Sequence, residues 1–271
     1  MSLSRISRAP CGPLRPFIQT LWAVDESVGA LREKRREHVL PTGQMHLVIR
    51  LREAPLRIFA GPHDRVGTLA GHALIGGARD TFYSRDVSGP QCSVGAQLRP
   101  GGAEALFGIP GEAFAHRHMR LDDVWGAAAE SMMDRLAGLP FEARLDALDA
   151  MLLARLPCVR AMHPAVAQTL SEFTVRSDVG PVIDATGYSH RRMITLFRRT
   201  VGLGPKQYLR VLRFARALKD LRAGHNLADV AIQAGYCDQA HFSREFRGFA
   251  GATPSEYRRI APPAAHHLPV G

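Results

Sequence analysis

The feature that most constrains this chain is a segment that occurs twice in its C-terminal third. The two copies are residues 187–208 and 235–257. Each begins with Gly-Tyr, continues to a Phe-Arg pair and ends in Gly-x-x-Pro-x-x-Tyr, and from His190 and Gln239 onward they align without a gap. An internal repeat of this kind indicates two copies of one supersecondary unit.

Each copy has the local chemistry of a helix-turn-helix unit. A short helix would end at Gly187 or Gly235, since glycine tolerates the positive φ of the residue that follows a helix. The next helix would begin after a capping side chain, Ser189 or Asp238. Its buried face carries apolar residues, which are Met193, Leu196 and Phe197 in the first copy and Phe242 and Phe246 in the second. The repeat therefore predicts two helices able to enter a major groove about 12 Å wide.

The segment between the copies predicts a long connecting helix. Apolar residues recur at helical spacing from residue 206 to 221, at Leu209, Leu212, Ala215, Leu218 and Leu221. Such a helix, buried on one side, would hold the two recognition helices in a fixed relation. Recognition helices about 34 Å apart, one turn of DNA, would read two successive major-groove segments.

The distribution of charge points to the same region. The formal net charge is +10. Residues 160–260 contain 16 Lys and Arg against 8 Asp and Glu, a balance of +8, whereas residues 1–159 contain 19 against 17, a balance of +2. A basic domain joined to a near-neutral one predicts a polyanion as partner of the basic part, although solubility alone is an alternative explanation of the charge.

The repeat and the helix between its copies resemble the DNA-binding domain of the AraC/XylS family of transcription regulators. The resemblance covers residues 163–259 and is most specific at 231–236 and 241–246. It implies which side chains face DNA bases: His190, Arg191, Ile194 and Thr195 in the first unit, and Gln239, Ala240, Ser243 and Arg244 in the second. The chemistry agrees, because Arg can bind guanine, Gln can bind adenine, and Ile or a Thr methyl can contact the thymine methyl.

The remaining cations of these helices are candidates for DNA phosphate contacts or for solvated charge. They are Arg192, Arg198, Arg199, Lys206, Arg210 and Arg247. Four aromatic side chains of the repeat are instead assigned to the core: Tyr188, Phe197, Tyr236 and Phe246.

The first 120 residues predict an antiparallel β-structure. Short apolar runs, such as 45–49, are separated by Gly and Pro turns, which suits a sheet or a small barrel. Segments 40–43, 99–102 and 122–126 resemble the cupin-like sensor region of some AraC-like proteins. That resemblance implies a half that senses a small molecule or mediates dimerisation.

Two amphipathic helices are predicted next, from Asp122 or Asp123 to Leu136 and from Phe141 to Leu156, as a packing unit within the chain or a dimer face. The predicted fold class is α+β. Its parts are a β-rich, cupin-like domain at 1–120, a helical linker or dimerisation segment at 121–158, an all-α domain with two helix-turn-helix units at 159–260, and a flexible tail at 261–271.

The motifs of metal sites and enzymes are missing from the sequence. The N-terminal histidines His38, His46, His63 and His72 include no His-x-His pair, and we expect neither a metal nor another cofactor. There is no nucleophile elbow, phosphate-binding glycine loop or paired-carboxylate motif, so we expect no enzyme. Effector-binding residues cannot be named: Arg50, Arg52, Arg57, Arg79 and Arg99 suit an acidic ligand and equally a solvated sheet face.

The four cysteines are scattered, and no apolar run has the length of a signal peptide or of a membrane span. We therefore expect a cytoplasmic protein that does not contact a membrane.

Together these features predict a sequence-specific transcription regulator that binds double-stranded DNA. Activation with RNA polymerase, an unidentified small-molecule effector and a homodimer are part of this hypothesis. One alternative is a constitutive DNA-binding protein whose N-terminal half only dimerises. Another is a regulator of the DNA-repair alkyltransferase type, which would need an activated cysteine.

Overall fold

The chain folds into a β-rich N-terminal part followed by helices, which confirms the predicted α+β class. The computed structural model describes residues 3–26, 35–52, 54–61, 63–156, 162–176 and 178–270. Its strands are β1 (Leu3–Arg8), β2 (Ile18–Glu26), β3 (Arg36–Val39), β4 (Met45–Arg50), β5 (Leu56–Phe59), β6 (Thr68–Gly71), β7 (Ala73–Gly76), β8 (Tyr83–Asp86), β9 (Cys92–Leu98), β10 (His118–Arg120) and β11 (His267–Val270).

These strands form two antiparallel sheets, one in the order β1-β2-β9-β4-β7-β10 and one in the order β11-β3-β8-β5-β6. Side chains of β4 alternate between the two faces of the first sheet, which shows what each face contacts. Met45, Leu47 and Ile49 are buried in the main core on one face. His46 and Val48 line the space between the sheets on the other face.

The space between the sheets contains both apolar and polar side chains. Val48, Leu56 and Leu74 form a small apolar cluster, with Trp22 packed against it. His46 lies beside the neighbouring strand β7. Gly76 makes this possible, because a Cβ there would come within 2.1 Å of the His46 ring.

Burial keeps the imidazoles of this region neutral. It lowers the pKa of His46 to about 3 and that of His118 to about 2, and the charge of Arg79 lowers both further. Burial also lowers the pKa of His266 to about 4. These rings therefore act as neutral hydrogen-bonding groups near pH 7.

The histidines considered as metal ligands do not converge. The ring of His38 contacts the C-terminal half of the chain, with Nδ1 2.9 Å from the carbonyl oxygen of Ala250. Within the described ranges, no three His, Cys, Asp or Glu side chains are close enough together to hold a metal ion. Among the same residues, no helix is long and apolar enough to cross a membrane.

The helices follow in order along the chain. They are α1 (Gly102–Phe107), α2 (Asp122–Trp125), α3 (Ala127–Ala137), α4 (Arg144–Leu153), α5 (Pro164–Glu172), α6 (Val179–Asp184), α7 (His190–Val201), α8 (Pro205–Arg222), α9 (Leu227–Gln233), α10 (Gln239–Ala250) and α11 (Pro254–Ile260). Helix α4 packs on β2 and β9, and its leucine stripe, Leu145, Leu148 and Leu152, is buried in the main core. The stripe therefore serves packing within the chain.

A buried ion pair ties α4 to the same sheet. The guanidinium of Arg144 is 1% exposed and donates to Asp25 Oδ2 at 2.7 Å. It also donates to the carbonyl oxygen of Leu139 at 3.2 Å. If α4 moved away from β2, the buried charge of Arg144 would lose its partner, which is energetically costly. The ion pair therefore holds α4 against β2.

The last residues form a strand, so the flexible tail predicted for 261–271 is wrong. Strand β11 pairs with β3, and Leu268 is fully buried. The backbone N–H of Leu40 donates to the carbonyl oxygen of His266 at 2.8 Å. The short, uncharged, Pro-rich tail carries no strong strand signal, and the sheet edge that it joins exists only after the N-terminal half has folded.

Truncation of the buried leucine in this strand tests its contribution to stability. We expect Leu268→Ala to lower the free energy of unfolding by about 2–4 kcal/mol, because the side chain is fully buried. Denaturant unfolding measures the change. Pro269→Ala, at an exposed position of the same strand, should change it by less than about 0.5 kcal/mol. Equal losses for the two variants would contradict the docking of β11.

The buried neutral histidines predict acid lability. In the unfolded chain, histidines have a pKa of about 6.5 and become protonated below that pH. In the folded protein, His46 and His118 become protonated only near pH 3 and pH 2, so between these values the unfolded chain binds more protons. The free energy of unfolding should therefore fall as the pH drops from 6.5 toward 3, by on the order of 1 kcal/mol per pH unit for each histidine. Denaturant unfolding at several pH values should show a shallower slope for His46→Gln than for the parent protein.

Candidate DNA-binding surface

The first copy of the repeat forms a helix-turn-helix unit from α6 and α7. Gly187 lies in the turn between them with a φ of +73°, in the left-handed region that favours glycine. The Ser189 hydroxyl caps α7 by accepting from the backbone N–H of Arg192 at 3.4 Å. Met193 and Phe197 are fully buried. The opposite face of α7 is therefore presented outward.

The second copy forms the same unit from α9 and α10. Gly235 has a φ of +78°. Asp238 caps α10, with Oδ1 accepting from the backbone N–H of His241 at 2.6 Å. This hydrogen bond is the main cause that lowers the pKa of the Asp238 carboxyl below its ordinary value. Phe242 and Phe246 are fully buried, so α10 also keeps one face free.

The second half of each copy ends the recognition helix and starts the next helix. In the first copy, Gly202 ends α7 with a φ of +89°, Pro205 takes the first position of α8, and the Tyr208 ring packs 5.6 Å from Phe197. The second copy repeats this arrangement at Gly251 (φ +73°), Pro254 and Tyr257, whose ring packs 5.7 Å from Phe246. The repeated motif is thus a helix stop, a helix start and a ring contact.

Helix α8 connects the two units, as its apolar spacing predicts. Its residues Leu209, Leu218 and Leu221 are buried. On its other side, Arg210 Nη2 lies 2.8 Å from Glu245 Oε1 on α10. The connecting helix is therefore joined to the second recognition helix by an ion pair as well as by apolar packing.

The structure brings the side chains predicted to face bases onto the first half of α7 and of α10. They are His190, Arg191, Ile194 and Thr195 on α7 and Gln239, Ala240, Ser243 and Arg244 on α10. Ile194 and Ser243 are half-buried and the other six are exposed. Their contacts with bases stay predictions, but none of the eight is withdrawn into the core.

Each recognition helix carries one hydroxyl group among these side chains, although the two are not equivalent positions, because Thr195 aligns with Arg244 and Ser243 with Ile194. Thr195 Oγ1 donates to the carbonyl oxygen of Arg191 at 3.1 Å, and Ser243 Oγ donates to that of Gln239 at 2.8 Å. Because each proton is used within its own helix, the oxygens are left as hydrogen-bond acceptors. In a major groove they would accept from the amino group of adenine or cytosine.

The cations predicted to contact phosphates fall into two groups. Arg192, Arg198 and Lys206 are exposed, and no ion pair between described residues includes them. Arg210 and Arg247 instead pair with acidic side chains of the second unit, Glu245 at 2.8 Å and Glu256 at 3.7 Å. The first group is free to contact a phosphate without breaking an ion pair.

Arg199 differs from the other candidates because it faces the N-terminal half. Its Nη2 donates to Glu104 Oε1 on α1 at 2.7 Å. In the same contact, the carbonyl oxygen of Thr200 accepts from the backbone N–H of Gly101 at 3.1 Å. A phosphate contact by Arg199 would require its ion pair to open, so we now interpret this residue as part of the contact between the two halves.

Three of the four aromatic residues assigned to the core are buried, and Tyr188 is not. Phe197 and Phe246 are fully buried and Tyr236 is 4% exposed, whereas Tyr188 is 39% exposed. The assignment of Tyr188 to the core is wrong because the ring leaves the core and lies edge-on to His163, at 5.3 Å. The first turn has one residue fewer than the second, so equivalent tyrosines reach different surroundings.

Several helix caps were missed in the sequence. Asp178 caps α6 and Asn226 caps α9. Thr253 and Glu256 form a reciprocal capping box at the start of α11. The Thr-x-x-Glu spacing before a helix was the signal that could have revealed this box.

One cysteine bears on the alkyltransferase alternative. Cys92 is buried next to Arg144, and burial raises the pKa of its thiol. A reactive cysteine needs a lowered pKa and access to substrate. Cys92 therefore lacks both properties of a methyl acceptor. Cys158 lies outside the described residues.

Comparison with protein families divides the chain as its sequence suggests. Residues 182–260 match a family model described as a helix-turn-helix domain. Residues 7–120 match a model described as a domain of unknown function (DUF6597). The first match covers the two helix-turn-helix units, and the second covers most of the sheet region.

Two relatives among known proteins each match part of this chain. The HTH-type transcriptional activator RhaR of Yersinia pseudotuberculosis serotype O:3 (strain YPIII) is 30% identical over 92 residues, which are 31% of this chain and 32% of that protein. A protein of Streptomyces lividans, whose name describes it as AraC-like, is 33% identical over 82 residues, which are 30% of this chain and 27% of that protein. The chain thus matches about a third of the length of these relatives.

A solved structure of ToxT from Vibrio cholerae aligns over 95% of this chain and 97% of its own chain. Its TM-score is 0.46 and its sequence identity is 8%. Because this score is below 0.5, the alignment carries no functional inference.

The cap of the second recognition helix gives a stability test. Asp238→Ala should lower the free energy of unfolding by about 1 kcal/mol, because the backbone N–H of His241 loses its acceptor. Asp238→Asn keeps an acceptor oxygen and should stay within a few tenths of a kcal/mol of the parent. Denaturant unfolding of the three proteins measures this, and equal losses for both variants would show that the negative charge, not the cap, is what matters.

Proposed function

Because the C-terminal domain of this chain belongs to the AraC-type helix-turn-helix family, we propose that the protein is a sequence-specific DNA-binding regulator of transcription. The observation that carries this proposal is the pair of matching recognition helices, α7 and α10, each capped, anchored by buried rings and exposing polar side chains. The basic balance of residues 160–260 supports a polyanion partner.

In this proposal the two helices enter successive segments of one major-groove face. On α10, Arg244 and Gln239 supply donors suited to guanine and adenine, and the Ser243 oxygen accepts. Arg192, Arg198 and Lys206 hold the backbone phosphates, because they are exposed and outside the ion pairs of the described chain.

The proposal extends to the biology of the whole protein. We propose activation of transcription through RNA polymerase, a small-molecule effector bound by the N-terminal half, and a homodimer as the working form. A DNA-bound regulator works where the chromosome is, which places it in the cytoplasm. No reaction is proposed for this chain.

Selection of bound duplexes from a random DNA pool, repeated at several salt concentrations, tests the function. Enrichment of a motif with two half-elements about one helical turn apart is expected from two linked recognition helices. Binding without enrichment, which weakens steeply with salt on every sequence, would leave only the electrostatic contribution to affinity and would overturn sequence-specific regulation in favour of constitutive, non-specific binding.

Substitution of one arginine separates base reading from charge. Arg244→Ala should cost about 1–3 kcal/mol on the selected site and relax the preference at one base pair. Arg192→Ala, which removes the same charge from an exposed position of α7, should weaken all duplexes more evenly. Titrations on the selected and on random DNA measure both. Equal losses for Arg244→Ala on the two DNAs would contradict a base contact.

A further inference from the structure

A cavity of about 330 Å³ lies between the two sheets. Its walls come from both sheets and from the segment after the DNA-binding domain, which contributes Pro263, Ala264, His266, His267 and Pro269. A volume of this size lies at the small end of the range for ligand sites and has room for roughly ten groups the size of a water molecule.

The cavity is amphipathic. Trp22, Val48 and Leu56 line one part of it, in the apolar cluster between the sheets. Arg79 and Arg85 line another part, together with neutral polar groups. Such a lining matches a small molecule with an apolar body and a polar or charged head.

Arg79 is a cationic group of this wall that has no acidic partner within the described chain. Its Nη2 donates to the carbonyl oxygen of Arg117 at 3.4 Å and lies 3.3 Å from His118 Nδ1. Its Nε is buried and has no hydrogen-bond partner there. The guanidinium lies over the Tyr83 ring, 4.3 Å from the centroid. Burial without a counter-ion is unfavourable for a guanidinium and even lowers its pKa from the ordinary value.

Arg85, by contrast, is already neutralised. Its Nη2 lies 2.9 Å from Glu37 Oε1, and the same oxygen lies 2.5 Å from His267 Nδ1. Glu37, the acidic residue of the described lining, is thus already paired with Arg85, and Arg79 is left without a counter-ion among the described residues.

Neutral polar groups also line the cavity and can take part in binding. His46, Tyr83 and Gln97 line the cavity. His266 also lines it, and its buried Nδ1 has no hydrogen-bond partner among the described residues. Since the folded environment keeps His46 and His266 uncharged near pH 7, they add hydrogen-bonding capacity without repelling or duplicating the charge of Arg79.

We propose that this cavity binds a small organic carboxylate, with the carboxylate paired to Arg79 and the apolar body against Trp22, Val48 and Leu56. A guanidinium binds a carboxylate through two parallel N–H···O bonds, and the carboxylate would supply the counter-ion that Arg79 lacks among the described residues. The inference deepens the proposed function, because it gives the chemical class of the effector.

The position of the cavity explains how the DNA-binding domain would sense the ligand. The wall segment at 263–269 is held by that domain: Arg222 Nη1 donates to the carbonyl oxygen of Pro262 at 2.7 Å, and the Tyr257 hydroxyl donates to that of Ala265 at 2.8 Å. A ligand in the cavity therefore contacts a segment that continues directly from α11 of the second helix-turn-helix unit.

Tryptophan fluorescence can detect the ligand without DNA. The chain has two tryptophans, and Trp125→Phe leaves Trp22, which lines the cavity, as the single reporter. The probes are benzoate, phenylacetate and hexanoate, each paired with its neutral amide. We expect a saturable change with at least one carboxylate and at least tenfold weaker binding of the matching amide. No response to any of the three carboxylates, or equal binding of acid and amide, would overturn the proposal.

Variants of one arginine test the anchor. Arg79→Met should weaken carboxylate binding about tenfold to a hundredfold, since a hydrogen-bonded charge partner is lost. Arg65→Met, at an exposed loop position of the same domain, should bind as the parent does. Unchanged affinity in Arg79→Met would overturn the assignment. If thermal unfolding shows that this variant does not fold, Arg79→Lys must bind more weakly than the parent, because lysine keeps the charge and loses the planar fork.

These measurements fail independently of the proposed function. If the protein binds a carboxylate but selects no DNA motif, the proposed ligand site stands and the proposed regulatory function is overturned. If it selects a motif but binds no carboxylate, the proposed regulatory function stands and the proposed ligand site is overturned.

Discussion

The two halves of the chain meet at a contact between backbones that two glycines make possible. A Cβ at Gly202, the residue that ends α7, would lie 3.0 Å from the carbonyl oxygen of Gly111 and 2.8 Å from Met45 Cε. A Cβ at Gly111 would in turn lie 3.0 Å from the carbonyl oxygen of Thr200. A Cβ at either position would crowd a backbone carbonyl oxygen across this contact, so the two halves would have to move apart by a few tenths of an ångström. The Glu104–Arg199 ion pair lies beside this contact and adds an electrostatic attraction between the two halves.

The second recognition unit reaches the sheet domain by a different route. The chain leaves α11, crosses to the five-stranded sheet and becomes its edge strand β11. His38 adds a contact from the sheet side, with its Nδ1 donating to the carbonyl oxygen of Ala250 at the end of α10. Each helix-turn-helix unit therefore has its own connection to the N-terminal half. A change between the sheets that moves β11 would act on the second unit first.

Most local features of the repeat could be predicted from the sequence. The left-handed glycines, the caps at Ser189 and Asp238 and the buried phenylalanines occur where the pattern predicts them, because each is decided by neighbours within one helical turn. The environment of Tyr188 could not be predicted in this way, because it depends on a turn that is one residue shorter and on the distant residue His163. The ion-pair partner of Arg199 could not be predicted either, because Glu104 is distant in sequence.

The sequence by itself determined the repeated unit, the connecting helix, the basic character of the C-terminal part and the face of each recognition helix that stays exposed. These features follow from short-range periodicity and from composition. Only the tertiary structure decided that residues 267–270 form a strand, that Arg79 has no acidic partner among the described residues while Arg85 is neutralised, and that the two halves dock through glycines. Such outcomes depend on which distant groups the fold brings within a few ångströms, and no local pattern records that.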